Sequence, residues 1–172
     1  MAKGGEGLKL DLREILVSEG SRLPFERELD AERLSFPAVE GYLGPVTGRG
    51  EVLNTAGVLT ARGSVEARMR CVCDRCGREF ETGRRTDFET PLLPETEGAA
   101  DDGEAFFLEG DTLDIDELLE TAFILDMPAK FLCRSDCRGL CPRCGKDLNE
   151  GDCGCKPETD PRFAVLEQLL DK

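Results

Sequence analysis

The residues with chemistry in them are cysteines. Six of the nine fall within the twenty-three residues from Cys133 to Cys155. Cys141-Pro142-Arg143-Cys144-Gly145 has the spacing of a metal-ligand knuckle, in which a turn ending on glycine points backbone amides at two sulfurs. Cys153-Gly154-Cys155 follows closely enough to complete a tetrahedron of thiolates around zinc, at about 2.3 Å per bond. A second knuckle, Cys73-Asp74-Arg75-Cys76-Gly77, lies far upstream. If Cys133 and Cys137 join it, eight cysteines form two closed four-thiolate sites and Cys71 is left over. The upstream site then clamps the N-terminal half of the chain onto the C-terminal half. Binding of each metal becomes folding energy, of about 10 kcal/mol or more for a structural zinc.

The odd cysteine count, the knuckle spacing and the lack of a basic-then-apolar N-terminal segment favour reduced, metal-binding thiols in a cytoplasmic protein over a disulfide framework. Two structural zinc ions are expected, with an iron centre as the competing metal. No apolar run approaches the twenty residues of a membrane span. The chain has no histidine, so the commonest general base is missing. No phosphate loop or open metal position replaces it, and the expectation is a protein that is not an enzyme. The competing reading is a zinc-thiol redox switch or a chaperone-like protein-binding module. It rests on the capacity of these knuckles to release metal and form disulfides.

The formal charge is −14 over 172 residues, and it is segregated. Residues 1–86 hold fourteen bases and fourteen acids, residues 127–172 hold eight of each, and residues 87–126 hold fourteen acids and no base. An acidic total argues against nucleic acid; a segregated one argues much less.

The ligand pairs Cys73/Cys76 and Cys133/Cys137, about sixty residues apart, need elements to bring them together. Leu8–Leu12 alternates like a short strand, and Leu12–Val17 reads as a helical turn. Arg22–Leu29 alternates again, and Pro37, Gly41, Gly44 and Pro45 mark a turn-rich connection. Val46–Leu53 and Val58–Arg70 form strands about a turn at Asn54–Gly57. In the second of these Leu59, Ala61, Val65, Ala67 and Met69 share one parity, and Thr60, Arg62, Ser64, Glu66, Arg68 and Arg70 the other. Arg78–Thr90 returns past the first knuckle, which therefore sits at a hairpin tip.

Pro91–Glu104 is expected to be a mobile loop, followed by a short strand at Ala105–Leu108. Asp114 with Glu117 opens a capped helix that ends at Pro128. Thr159-Asp160-Pro161 opens a last amphipathic helix carrying Phe163, Leu166, Leu169 and Leu170. The expected fold class is α+β, with an antiparallel β-sheet domain, a capped helix, a cysteine-rich zinc-binding module and a C-terminal helix. The divisions are 1–90 for the β-rich domain, 91–128 for the acidic loop and helix, and 129–172 for the zinc module.

The run Cys133-x-x-x-Cys137-Arg-Gly-Leu-Cys141-Pro-x-Cys144-Gly-x-x-Leu148-Asn149, with Cys73-x-x-Cys76 before it and Cys153-x-Cys155 and Asp160-Pro161-Arg162-Phe163-Ala164 after it, resembles the YceD family. These are bacterial large-subunit ribosomal RNA accumulation proteins. The resemblance covers the chain from about Leu8 onward. It implies a cytoplasmic, non-enzymatic ribosome biogenesis factor needed for accumulation of the large-subunit rRNA, often encoded near a zinc-binding large-subunit ribosomal protein. Cys71 is an addition to the motif.

The partner expected on that basis is pre-ribosomal RNA or a large-subunit ribosomal protein. Arg134, Arg138, Arg143 and Lys146, with Lys130 nearby, are candidate contacts. A zinc with four thiolates carries a charge of about −2, so some of these cations are also suited to offsetting the metal sites. Arg68 and Arg70, with Arg62, Arg84 and Arg85, form a second candidate surface on the sheet, diluted by Glu66, Glu79 and Glu81. Aromatic stacking platforms are scarce, which gives base readout little support. The acidic segment 87–126 is suited either to covering a basic protein or to serving as a solubilising linker.

Overall fold

The computed structural model describes residues 7–94 and 105–155. Its elements in chain order are β1 (Lys9–Asp11), α1 (Arg13–Leu16), β2 (Arg22–Leu29), β3 (Val39–Tyr42), β4 (Val46–Thr55), β5 (Val58–Val72), β6 (Glu79–Pro94), β7 (Phe106–Leu108), β8 (Thr112–Asp114) and α2 (Ile115–Leu125). Short 3-10 turns lie at Ala31–Arg33 and Leu148–Glu150. The expected C-terminal helix and most of the expected loop, residues 95–104, fall outside the described residues.

The main sheet runs β2-β4-β5-β6-β7, and β3 pairs with β5 beyond the end of β4. β1 and β8 form a separate pair. β3 and β4 are nearly one strand. Tyr42 lies opposite Met69 and Thr47 opposite Glu66, so the four residues between on one side face two on the other. Gly44-Pro45 holds the surplus, because proline has no N–H for the ladder. That Gly/Pro-rich stretch reads as a connection in the sequence and hides the four-residue strand before it.

Alternation along β5 is the organising fact. Its odd-numbered residues, including Leu59, Ala61, Val65, Ala67 and Met69, are buried in one core with Val46 and Val52 of β4 and Ile115, Leu118, Leu119 and Phe123 of α2. At about 25 cal/mol per Å² of apolar surface removed from water, each large side chain here contributes about 1.5–3 kcal/mol. The helix comes close because of Gly48: a Cβ there would lie 2.4 Å from Leu119 Cδ1. Asp114 caps α2, its Oδ1 accepting from Glu117 N at 3.1 Å. A two-residue turn, Ala56-Gly57, joins β4 to β5 with both φ angles positive, at 52° and 87°. This handedness matches the twist of the strands. Buried Asn54 pins the turn, accepting from Gly57 N at 2.9 Å while donating to Ile15 O of α1 at 2.7 Å.

The sheet departs from the expected antiparallel arrangement at its edge, where β7 pairs parallel to β6 from Leu92 to Pro94. β6 itself continues four residues past Thr90, into the region expected to be loop. Leu92, buried on the core side of β6, draws this extension in. The acidic segment is also less isolated than its composition implies. Asp116 pairs with Arg27 at 2.6 Å, Glu120 with Arg33 at 2.9 Å and Glu109 with Lys9 at 2.9 Å. These bases all come from the first third of the chain.

The opposite face of the sheet is wet. Cross-strand pairs Arg62–Glu51, Arg49–Glu66 and Arg85–Glu66 tile it. Among the described residues no helix is long and apolar enough to cross a membrane.

Candidate metal centres

β5 and β6 are fifteen and sixteen residues long, so their hairpin carries Cys73 and Cys76 well away from the sheet's centre. Cys73 N donates to Arg78 O at 2.9 Å and Gly77 N to Cys73 O at 2.8 Å, with Gly77 at φ 68°. The second knuckle repeats this bond for bond. Cys141 N donates to Lys146 O at 2.9 Å and Gly145 N to Cys141 O at 2.9 Å, with Gly145 at φ 72°. A positive φ is cheap only for glycine, which is why each Cys-x-x-Cys carries one immediately after.

The sulfurs converge in two groups: Cys73, Cys76, Cys133 and Cys137, then Cys141, Cys144, Cys153 and Cys155. Within each group the Sγ atoms lie within 4.8 Å of one another. Cys73 and Cys137 are 3.8 Å apart, and so are Cys76 and Cys133. A regular tetrahedron with bonds of about 2.3 Å has edges of about 3.8 Å, so the first group already has the dimensions of a four-thiolate zinc site. Both groups could hold a metal ion, and four protein ligands leave no open position on a tetrahedral one.

The electrostatics agree. Burial pushes the Cys73 thiol up, but backbone N–H groups of Cys133, Cys76 and Arg75 outweigh it and bring the pKa down to about 6. Cys133 is pushed up to about 12 by burial and by the neighbouring Cys73 and Cys76. In the second group the amides of Cys144 and Arg143 bring Cys141 down to about 6, while Cys144 and Cys153 push Cys155 up to about 12. Cys73 and Cys141 ionise readily while Cys133 and Cys155 resist, because like charges a few ångströms apart repel. A divalent cation at the centre removes that resistance.

The first group is knitted across the chain. Asp74 N donates to Phe131 O at 2.8 Å, and Phe131 N returns a bond to Asp74 Oδ2 at 2.6 Å. Arg75 Nη1 donates to Cys137 O at 2.8 Å and Leu140 N to Arg75 O at 3.1 Å. Gly139, at φ 73°, passes so close that a Cβ there would lie 2.8 Å from Arg75 O. Asn149 then ties the module to itself, its Oδ1 accepting from Arg138 N and Arg134 Nη2, both at 2.8 Å. The second group follows the first after three residues and is tied to it by Leu148 N donating to Gly139 O at 2.9 Å and by Arg78–Asp147 at 3.2 Å.

Cys71 belongs to neither group. It is fully buried among the apolar side chains under the sheet, on the parity of Met69 and Ala67.

One family profile matches residues 61–170, about two thirds of the chain and both cysteine groups; it is described as Large ribosomal RNA subunit accumulation protein YceD. The chain belongs to the YceD family. An uncharacterized protein of Mycobacterium tuberculosis is 32% identical over 75 residues, which are 44% of this chain and 36% of the relative. Uncharacterized protein YlbN of Bacillus subtilis is 35% identical over 74 residues, 41% of this chain and 42% of its own length. The matched part thus spans well under half of these YceD relatives. No solved structure matches.

Of the basic residues singled out from the sequence, Arg134, Arg138 and Lys146 lie together in the cysteine module, linked through Asn149 and Asp152. Arg134 sits between Asn149 and Asp136, Arg138 pairs with Asp152, and Lys146 Nζ donates to Asp152 O at 3.1 Å. Arg68 and Arg70 lie on the wet face of β5, where Arg68 reaches Glu81 at 4.0 Å. Asn149 was not singled out as a contact residue. Its signal was available in its place within the module, where an amide can accept from two arginines at once.

Proposed function

We propose that this chain is a non-enzymatic factor that supports accumulation of the large-subunit ribosomal RNA, braced by two structural zinc ions. The family match across both cysteine groups carries the reading. Closed four-sulfur groups support a structural metal, since catalysis by a metal needs an exchangeable position. Zinc would supply charge and rigidity. The chain's own part is to hold eight sulfurs in place and to present the surface around them, including Arg134, Arg138, Arg143 and Lys146, and Arg68 and Arg70 on the sheet. That surface would dock on pre-ribosomal RNA or on a large-subunit ribosomal protein during assembly.

Depleting the protein in its own cells and measuring the ratio of large- to small-subunit rRNA tests the role. The ratio should fall, and should recover with the wild-type chain but not with Cys137→Ser. An unchanged ratio on depletion overturns the reading. Metal analysis of the purified chain should find close to two equivalents of zinc and no iron.

A second reading, a thiol switch, draws support from the exposure of Cys144 and Cys155. Peroxide should then expel one equivalent of zinc before the other; zinc content that peroxide leaves unchanged excludes it.

A further inference from the structure

β6 is an edge for most of its length. It pairs with β5 from Glu79 to Leu92, while β7 covers its other side only from Leu92 to Pro94. Leu43 N donates to Arg68 O, and Val72 N to Ala38 O, so the even-numbered amides of β5 face β3 and β4 and the odd-numbered ones face β6. Odd residues of β5 lie opposite even residues of β6, from Cys71↔Phe80 to Leu59↔Leu92. The backbone groups of Glu79, Glu81, Gly83, Arg85, Asp87 and Glu89 therefore turn outward, and all six residues are exposed. Among the described residues no strand receives them.

Beside this edge lies a groove of about 1000 Å³ between β6, β7 and α2. Phe88, Phe106, Phe107, Leu118, Ala122 and Leu125 supply its apolar lining, and Leu125 is 73% exposed. Even-numbered side chains of β6 point to this side of the sheet and odd-numbered ones to the wet face. The edge and groove carry Glu79, Glu81, Asp87, Glu89, Glu117 and Asp126 against Arg84 and Arg85, with Arg62, Arg68 and Arg70 of β5 beside them on the wet face, where Glu51 engages Arg62 and Glu81 engages Arg68. Arg84 and Arg85 are held by Asp126 and by Glu66 and Asp87. Glu79, Glu89 and Glu117 have no ion-pair partner among the described residues.

We propose that the outer edge of β6 binds an extended basic segment of another protein, added as a further strand. Backbone bonds to the outward amides give affinity. Alternate apolar side chains enter the groove, and the intervening lysines or arginines meet the acids of the wet face. The chain's own segments and a second copy fit poorly. Residues 95–104 carry five acids, no base and no apolar side chain larger than alanine. Residues 156–172 carry four acids and three bases. Antiparallel pairing of two β6 strands about Arg85 would set Glu81 of one copy against Glu89 of the other, and like charges directly opposite are unfavourable. The inference names a protein partner for the proposed role and rests on that reading, but its test does not involve rRNA. Failure of one therefore leaves the other distinguishable.

The probe is an eleven-residue peptide alternating lysine and valine, titrated into the full metal-loaded chain at physiological salt, with amide hydrogen exchange followed residue by residue. Binding should slow exchange at Glu81, Gly83, Arg85, Asp87 and Glu89 at least tenfold. A peptide of the same composition in separate lysine and valine blocks, or one N-methylated at alternate positions, should bind at least tenfold more weakly. Asp87→Lys with Glu89→Lys should weaken binding by a similar factor without changing the melting curve. Equal binding of alternating and block peptides overturns the proposal, reducing it to charge attraction. So does slow exchange at the outward amides before any peptide is added, whether the chain is then monomeric, with its own segment on the edge, or dimeric by sedimentation.

Discussion

The two cysteine groups have the same ligands and the same knuckle, yet they do different jobs. The first joins Cys73 to Cys137 across 64 residues of sequence, and three of its four sulfurs are buried. The second is closed by ligands from Cys141 to Cys155, with Cys144 and Cys155 exposed. Closing the longer loop removes more freedom from the unfolded chain, by about 1–2 kcal/mol on loop length alone. The first group also anchors the backbone bonds between Asp74, Arg75 and the 131–140 segment. The same four-sulfur arrangement would thus act, with metal bound, as a clamp between distant parts of the chain in one place and as a local staple in the other.

The largest test of that contrast removes one sulfur from each. Cys137→Ser should abolish cooperative thermal unfolding of the native unit or lower its midpoint drastically. The binding energy of a structural metal, about 10 kcal/mol, is comparable with the whole stability of a domain. Cys155→Ser should lower metal content from two equivalents to one and leave the main unfolding transition within a few degrees. Equal damage from both would end the distinction.

Access comes next. In excess chelator, metal loss should be biphasic, with the exposed second group emptying at least tenfold faster, and Cys155→Ser should delete the fast phase. A single phase would mean the two sites open together.

Two glycines sharpen the comparison further. Gly139→Ala and Gly145→Ala each force a side chain into a positive φ, costing about 1–2 kcal/mol. At Gly139 the new Cβ also meets Arg75 O, whereas at Gly145 nothing lies within 4 Å. Denaturant titration should therefore show the larger loss for Gly139→Ala. Arg78→Ala should have the smallest effect, about 0–1 kcal/mol, because its ion pair with Asp147 is exposed on the arginine side.

Much of this was legible along the chain. The parity of β5 assigns Leu59, Ala61, Val65, Ala67 and Met69 to the core, and the same parity continued two residues further explains Cys71. Read as a strand residue instead of a surplus ligand, Cys71 ceases to be an anomaly. β3 was hidden because Gly41, Gly44 and Pro45 are turn formers in isolation, and the strand exists only where β5 offers it partners. The parallel pairing of β7 was equally hidden, since three residues, Phe-Phe-Leu, carry no information about direction.

Ligand type, ligand number and the turn of each knuckle follow from the sequence alone, because two cysteines two residues apart with a glycine behind them constrain their own backbone. Local periodicity likewise determined which side of each long strand faces the core. Whether Cys133 and Cys137 reach Cys73 and Cys76, which arginines are already engaged and which strand edge stays open were decided by the tertiary structure. Those outcomes depend on where a long hairpin places its tip and on which distant groups arrive there, and no short-range pattern specifies that.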